Sequence, residues 1–511
     1  MDRKWLTLIV VCVAVFMLLL DITIVNVALP DIGRSLHADF SDLQWVVDAY
    51  SLTLAACLLT AGSLGDLLGR RRIFVVGLAI FSLASLACGL SNSSTLLNLM
   101  RGVQGIGGAV MFAQSLALIA DSFQGRERGT AFGIWGATVG ASVAVGPLIG
   151  GVLTESAGWE WVFFVNVPVG VVAIVLALRY ISENRDPNAP AIDWPGLVTF
   201  SGGLFLLVFA LIRGNSEGWG STMIVAMLTA AVLLLVAFFV VEARVSNPML
   251  DLSLFRVPTF VGASIASFGL SSSMFALFLY LTLYIQNGLH YSPLQAGLRF
   301  LPITVTSFVV APISGRLSST IPIRVLLGLG LLLVSAGLLL MYGLTVHSGW
   351  TDLLAGFLVA GVGIGLVNPP LATTAVGVVP PQRSGMASGI NTTFRQVGIA
   401  TGIAALGAVF QSTISDKVVS GLTPLVGGRA SSLADLVVNQ EVPRALAQVP
   451  LRSRGIAAGI VQSSFIDALN DLLLIGSIVA LIAAVLTFLL VRTRDFLASP
   501  SGEPAAAAAA H

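Results

Sequence analysis

Long apolar stretches are the feature of this 511-residue sequence that most restricts its fold. A helix that crosses a bilayer needs about 20 mostly apolar residues, and fourteen such stretches can be placed along the chain. Only 10% of the residues are charged, against about 25% in a typical soluble domain. The sequence therefore predicts an all-α integral membrane protein.

Charged and turn residues mark the breaks between the predicted spans. The spans cover residues 5–30, 43–64, 73–91, 96–120, 130–153, 161–180, 195–213, 221–241, 258–286, 294–315, 323–345, 352–378, 384–412 and 458–491. An outer loop is predicted at about 413–457, with a short amphipathic helix around 431–449. Residues 496–511 are expected to form a tail outside the fold.

Lysine and arginine are divided unevenly between the loops. With the N-terminus inside the cell, sixteen of the 26 fall in predicted cytoplasmic segments and two in the short outer loops. Basic residues in short loops favour the cytoplasmic side, so both termini are predicted to be cytoplasmic and the chain to reside in the cell membrane. The net charge of +1 gives no reason to expect nucleic acid as a partner.

The sequence lacks the signatures of enzymes that use nucleotides or metals. A P-loop needs a Gly-x4-Gly-Lys-Ser/Thr run, and the only lysines, Lys4 and Lys417, lie in no such run. The four histidines lack zinc spacing and the three cysteines form no CxxC pair. We therefore expect no nucleotide, no metal, no other cofactor and no enzymatic activity.

Ionisable side chains inside the predicted spans are the leading candidates for function, because a charge in lipid is costly. Asp21 lies deep in the first span. A desolvated carboxylate holds its proton more tightly, so Asp21 is predicted to load and release protons; the alternative is a structural carboxylate bonded to a neighbouring helix. Arg101, in the fourth span, is predicted either to take part in proton coupling or to form a structural pair.

Other charges have two interpretations each. Asp48, near the outer end of the second span, either meets a substrate or reaches interfacial water. Arg395 and Asp467 are candidates for further buried charges, although Arg395 also fits the cytoplasmic boundary. Asp467 and Asp471, one helical turn apart, also fit a pair of solvated carboxylates near the outer end of the last span.

Small residues are concentrated in the fifth span. They let helices approach closely, and a proline interrupts the hydrogen bonds of its helix. The interpretations are tight packing alone, or a pliable interface on which two halves of the protein rock. The residues concerned are Gly140, Gly146, Pro147, Gly150 and Gly151.

Several motifs together resemble the drug:proton antiporters of the major facilitator superfamily, in the fourteen-helix branch that includes multidrug and quaternary-ammonium exporters. The motifs are Leu20-Asp21-Ile22-Thr23-Ile24-Val25-Asn26, Trp45-x2-Asp48-x-Tyr50, Gly62-x-Leu64-x-Asp66-x2-Gly69-Arg70-Arg71, Arg101-Gly102-Val103-Gln104-Gly105 and Gly146-Pro147-x2-Gly150-Gly151. One departure is that span thirteen carries Arg395 and no acid, whereas some quaternary-ammonium exporters have carboxylates there.

The resemblance implies roles for these residues. Asp21 and Arg101 would couple protons, and the glycines and proline of the fifth span would form an antiporter motif. A cytoplasmic conformational latch would comprise Gly62, Asp66, Gly69, Arg70 and Arg71. Candidate substrate-binding residues are Asn26, Asp48, Tyr50, Gln104 and Asn391.

The resemblance also implies a major facilitator fold: a six-helix bundle in residues 1–190, two linker helices in 191–245 and a second six-helix bundle in 246–495. The expected function is proton-coupled export of amphipathic or cationic drugs, or related small molecules, by a monomer in the lipid bilayer. An exporter or flippase for a lipid or a self-made antibiotic is the nearest alternative. A membrane receptor or channel is the alternative from another class.

Overall fold

The computed structural model describes residues 2–123, 125–184, 193–246, 248–318, 320–379, 384–438 and 442–496, and within these ranges the secondary structure is helical, without strands. The helices, in chain order, are α1 (Arg3–Leu36), α2 (Phe40–Leu68), α3 (Arg70–Gly89), α4 (Ser94–Ser122), α5 (Gly125–Ala157), α6 (Trp161–Tyr180), α7 (Trp194–Glu217), α8 (Thr222–Glu242), α9 (Pro258–Gly288), α10 (Pro293–Leu317), α11 (Ile323–Leu340), α12 (Thr351–Gly377), α13 (Ser384–Val426), α14 (Ala430–Val438), α15 (Val442–Ala447) and α16 (Arg454–Leu490).

Most of these helices are long and apolar enough to cross a membrane. Among the described residues, twelve helical segments meet that condition. The two other long helices, α2 with 29 residues and α5 with 33, contain side chains outside the described part of the chain. The prediction of an all-α, multi-pass membrane protein is confirmed, and the count of fourteen spans stays a prediction.

Side-chain caps fix the first residues of several helices. Asp39 accepts a hydrogen bond from the backbone N–H of Asp42 at 2.7 Å, at the start of α2. Ser292 and Gln295 form a capping box at the start of α10, with Pro293 as the first helical residue. Because the first turn of a helix has no intrahelical partner for its N–H groups, such caps select where the chain enters each helix.

The predicted outer loop is largely helical, which corrects the prediction for residues 413–457. Helix α13 runs for 43 residues and ends at Val426, before Gly427, which has a positive φ of 61°. Buried apolar residues at Ile414, Val418 and Leu422 continue the helical period beyond residue 412. The charged residues that suggested a loop occupy the other face of this helix. The predicted short helix is present as α14 and α15, on either side of residues 439–441, which lie outside the described residues.

Helices α1–α6 and α9–α16 meet along what we call the bundle interface, which includes the packing of α5 on α10 and of α2 on α13. A Cβ added at Gly297 of α10 would fall on the carbonyl oxygen of Pro147 in α5. One added at Gly151 would lie 2.7 Å from the Cα atom of Leu294. Glycine is therefore required for the observed approach of the two helices.

Hydrogen bonds across the bundle interface gather on the side where α1 ends and α2 begins, the side predicted to be outer. Gln286 Nε2 donates to the carbonyl oxygen of Val27 at 2.7 Å, and Gln44 Nε2 donates to that of Ile403 at 3.1 Å. The carboxylate of Glu155 accepts the backbone N–H of Leu294 at 3.1 Å. The two bundles are thus joined at that end.

We expect Gly297→Ala to destabilise the protein, because its methyl group has no room against Pro147. An overpacked helix contact costs about 1–3 kcal/mol. The matched control is Gly459→Ala in α16, where nothing lies within 4 Å of an added Cβ; alanine there should be neutral or stabilising, since it favours helix. Thermal unfolding of both variants in detergent measures the difference. Equal melting temperatures would refute the close-packing argument.

Candidate functional site

Asp21 lies at the centre of a buried polar cluster formed by three helices, α1, α4 and α6. Its side chain is 0% exposed, on the face of α1 that packs against α4 and α6. One carboxylate oxygen forms an ion pair with Nη1 of Arg101. The other accepts hydrogen bonds from Gln104 Nε2 at 2.9 Å and Asn166 Nδ2 at 3.0 Å. We call Asp21, Arg101, Gln104 and Asn166 the Asp21 cluster.

Arg101 is held in place by more than its ion pair. It is 1% exposed, its Nε donates to the carbonyl oxygen of Val46 in α2 at 2.9 Å, and its Nη1 donates to Gln104 Oε1 at 2.8 Å. The guanidinium carbon lies 4.3 Å from the centre of the Tyr50 ring, a cation–π contact. Arg101 therefore connects α1, α2 and α4 at one point.

Asn166 is the member of the Asp21 cluster that was not among the predicted site residues. It is 2% exposed at the start of the second segment of α6, and its Nδ2 also contacts Ser85 Oγ in α3 at 3.0 Å. Ser85 in turn donates to the carbonyl oxygen of Phe163 at 2.9 Å. The available signal was an amide side chain inside the apolar sixth span, where an unpaired polar group is costly.

The geometry makes the Asp21 carboxylate the counter-ion of Arg101. Its two oxygens accept three N–H donors, and a proton on Asp21 would remove the negative charge that balances Arg101. Arginine stays charged under these conditions, and Arg101 would then lack its anion. A change in the charge of Asp21 would therefore act on α4 directly and on α2 through Val46.

A central cavity lies between the two bundles, next to this cluster. Ile22, Thr23 and Asn26 of α1 face it, directly after Asp21 in the sequence. The opposite wall is mainly apolar and aromatic and comes from α9, α10 and α13. The cavity holds about 30 Å³ of free space, well below the several hundred Å³ of a typical ligand site, so it must widen to admit a drug-sized molecule.

The predicted substrate-binding residues do not form one group. Only Asn26 lines the central cavity. Gln104 and Tyr50 contact Arg101 instead, and Tyr50 also donates to the carbonyl oxygen of Leu18 at 3.5 Å. Asn391 of α13 donates to the carbonyl oxygen of Ala263 in α9 at 3.3 Å, a contact that joins two helices of the second bundle.

Asp48 does not reach interfacial water. Its side chain is 0% exposed in α2, and neither carboxylate oxygen has a hydrogen-bond partner among the described residues. Gln44, one turn earlier, points to Ile403 of α13 across the bundle interface, and Tyr280 Oη donates to the same carbonyl at 2.7 Å. Asp48 is therefore buried at the interface and is not a lining residue of the cavity, although its neighbour Val47 is one.

The two candidates for further buried charge differ. Asp467 is not buried: its side chain is 46% exposed and pairs with Lys417 at 3.1 Å, which corrects that prediction. The cause is the extension of α13, which brings Lys417 alongside the start of α16. Arg395 is partly buried in α13, and its guanidinium carbon lies 5.0 Å from the centre of the Phe275 ring.

The residues predicted to form a latch bind within the first bundle. Gly69 has a φ of 108°, a conformation that favours glycine. Arg70 pairs with Asp121 at the end of α4, and the backbone N–H of Arg71 donates to Glu183 Oε1 at 3.1 Å. The side chain of Asp66 lies outside the part of the chain that the structure describes, and Gly62 has nothing within 4 Å of an added Cβ.

The glycines of α5 face two different partners. A Cβ at Gly146 would meet the Thr23 side chain, and one at Gly150 would lie 2.8 Å from the carbonyl oxygen of Ile24, so both pack on α1. Gly151 and Pro147 contact α10 across the bundle interface. The surroundings of Gly140 lie outside the part of the chain that the structure describes. Helix α5 thus connects the helix that carries Asp21 with the second bundle.

This is the architecture of a membrane transporter: a helical bundle with a buried acid–base pair beside a central cavity. The family model described as Major Facilitator Superfamily matches residues 11–403. The chain belongs to the major facilitator superfamily.

Curated relatives of the chain are resistance and export proteins. It is 38% identical over 489 residues to the tetracenomycin C resistance and export protein of Streptomyces glaucescens, covering 94% of this chain and 90% of that protein. It is 35% identical over 479 residues to the multidrug resistance protein Stp of Mycobacterium tuberculosis, with 92% and 89% covered. The puromycin resistance protein pur8 of Streptomyces alboniger is 38% identical over 419 residues, with 80% and 82% covered.

A solved structure agrees with the fold. A bacterial homologue of the human lysosomal transporter Spinster, in an inward-facing and unoccupied conformation, superposes with a TM-score of 0.62 at 18% identity. The match covers 98% of this chain and 99% of that one. At this identity the likeness concerns the fold alone, and it supports the predicted major facilitator architecture.

We expect Asp21→Asn to lower the free energy of unfolding by about 3–5 kcal/mol, because it leaves Arg101 buried without its anion. The matched control is Asp467→Asn, which breaks a half-exposed pair with Lys417 worth about 0–1 kcal/mol. Both variants can be compared by denaturant unfolding in detergent. Equal losses would contradict a special role for the buried pair. The double variant Asp21→Asn/Arg101→Gln should recover part of the stability, since no unpaired charge remains.

Proposed function

We propose that the protein is a proton-coupled antiporter that exports amphipathic small molecules, drugs included, across the cytoplasmic membrane of a bacterial cell. The observation that carries the proposal is the placement of Asp21 on α1. One face of this helix holds the buried Asp21 cluster, and the next residues, Ile22 and Thr23, line the central cavity. Events at the proton site and at the cavity therefore act on the same helix.

The proposed cycle uses the contacts of Arg101. A proton that binds Asp21 from outside weakens its pair with Arg101, and the hydrogen bond from Arg101 to Val46 passes the change to α2. Helix α2 contacts α13 through Gln44 and Ile403, so the change reaches the bundle interface. Two alternative packings of that interface would expose the cavity to either side of the membrane in turn.

We also propose the arrangement around this core. Six membrane-spanning helices precede the linker helices α7 and α8 and six follow them, with the short helices α14 and α15 outside this count. Both termini are cytoplasmic, and the working unit is a monomer. The contacts at the predicted outer side, such as Gln286 to Val27, support a state closed to the outside. The packing of α7 against α2 and α13, through Val208, Leu52 and Ala400 among others, supports its position beside the bundle interface.

Export of a self-made antibiotic is the second candidate. Its support comes from the names of the relatives. One is a tetracenomycin C resistance and export protein and another a puromycin resistance protein. Both proposals use the same cavity and proton site. They differ in the natural substrate. An assay in which candidate antibiotics compete with dyes for export would identify it.

We expect the purified protein in liposomes to export hydrophobic dyes when a pH gradient is imposed, and Asp21→Asn to lose this dependence on the gradient. The assay uses one neutral, one cationic and one anionic dye, with Asp467→Asn as the control that should transport like the wild type. For each dye that the wild type exports, the Asp21 variant should retain only downhill exchange. Gradient-driven export that persists in Asp21→Asn would overturn the assignment of the proton site. Large unitary currents without uphill transport would instead indicate a channel.

A further inference from the structure

The second bundle carries a cation next to the central cavity without an acid to balance it. From residue 252 to residue 415, which includes α9 to α12 and the first part of α13, the only acid is Asp352. Asp352 lies at the start of α12, where its Oδ2 accepts the backbone N–H of Gly349 at 2.9 Å. The wall that α9, α10 and α13 give to the cavity therefore offers no carboxylate.

Arg395 is the cation in question. Its guanidinium lies over the ring of Phe275, which lines the cavity, and Ile399, one turn further along α13, lines it as well. Within the described residues, Arg395 makes no ion pair and donates no side-chain hydrogen bond, and the residue is half-buried. Arg395 therefore lies beside the cavity, in contact with one lining residue and one turn from another, although it is not a lining residue itself.

The other arginines in the spans are satisfied in ways that Arg395 is not. Arg101 pairs with Asp21. Arg299 lies over the Tyr291 ring at 3.3 Å and also donates to the carbonyl oxygen of Gln295 at 2.9 Å. A ring alone stabilises a guanidinium only modestly, whereas an unpaired charge in lipid is costly. The described part of the chain therefore supplies no anion for Arg395.

The cavity beside Arg395 suits a flat aromatic molecule. Phe275, Phe278 and Phe300 form a row, with ring centres 5.9 Å and 5.4 Å apart, and all three line the cavity. Thr282 and Thr304 add hydroxyl groups to this wall, and none of the residues that line the cavity carries a charge. An aromatic body would pack along the row, with its acidic group at Arg395.

We propose that Arg395 is the anion-binding residue of the cavity, and that the preferred substrates are aromatic amphipathic molecules that carry one carboxylate or ionised phenol. This inference rests on the proposed function, because it assigns the substrate class of the same cavity. It narrows the expectation of amphipathic or cationic drugs to anionic ones, since the cavity has Arg395 beside it and no carboxylate in its described lining. Asp21 is already paired, and Asp48 is enclosed in α2.

The test measures binding of pyrenebutanoate and of its neutral amide to the purified full-length protein in detergent, by fluorescence anisotropy. A hydrogen bond to a charged group is worth enough to give the acid an advantage of about tenfold in the wild type. Arg395→Gln should reduce binding of the acid by about tenfold and leave the amide within about twofold. Arg395→Lys should keep part of the preference, because it retains the charge and loses the planar fork.

Arg299→Gln is the matched control, because it removes another arginine over an aromatic ring, and it should leave both affinities unchanged. Equal binding of acid and amide by the wild type, or an unchanged preference in Arg395→Gln, would overturn the proposal. If Arg395→Gln does not fold, the wild type alone decides: its preference for the acid should vanish as pH falls through the carboxyl pKa of the probe, about 4–5, and a constant preference would overturn the proposal.

The outcome is separable from that of the proposed function. A preference for the acid that depends on Arg395, without export under a pH gradient, would support the anion site and refute the antiporter. Export that depends on Asp21, without any preference for the acid, would refute the anion site alone.

Discussion

The exclusion of water from the bilayer interior is the constraint on which this structure depends. Backbone groups in lipid must be bonded within the protein, which favours uninterrupted helices. Polar side chains follow the same rule: the hydroxyls of Thr23 and Thr53 donate to carbonyl oxygens one turn earlier in their own helices. A buried charge has no such local solution, so Asp21 and Arg101 must find each other across two helices. Their pair is therefore a requirement of the fold, and on the proposed function it is also the element that a proton disturbs.

The charges within the spans show how position decides between structure and function. Asp21 has three donors, one of which is the charged Arg101. Asp48 lies where α2 packs on the second bundle, and no donor among the described residues reaches it. While the interface stays closed, no hydrogen bond offsets the cost of removing its carboxylate from water. Arg395 has only an aromatic ring. These three environments fit a transporter, in which some polar groups complete their contacts only in another state or with a substrate bound.

Much of the fold followed from the sequence because apolar length and helix caps are local signals. Asp21 and Arg101 were identified as candidates because a charge inside an apolar stretch is also a local signal. Their pairing across 80 residues and the contribution of Asn166 depend on packing. The end of α13 was misplaced because Lys417 resembles a loop residue, whereas the buried face of that helix continues to Leu422. The partners of Arg70 and Arg71 could not be predicted, since Asp121 and Glu183 belong to other segments.

The placement of the two proposed ion sites has an energetic consequence. Asp21 lies on α1 in the first bundle and Arg395 on α13 in the second, with the central cavity between these helices. Exchange of one incoming proton for one outgoing anion moves two elementary charges in the same electrical direction. Each charge gains about 2.3 kcal/mol per 100 mV of membrane potential, so a potential that is negative inside drives both movements. Exchange of a proton for a monovalent cation would cancel that term. On the two proposals together, an arginine across the cavity from the proton site would let the antiporter use the membrane potential as well as the pH gradient.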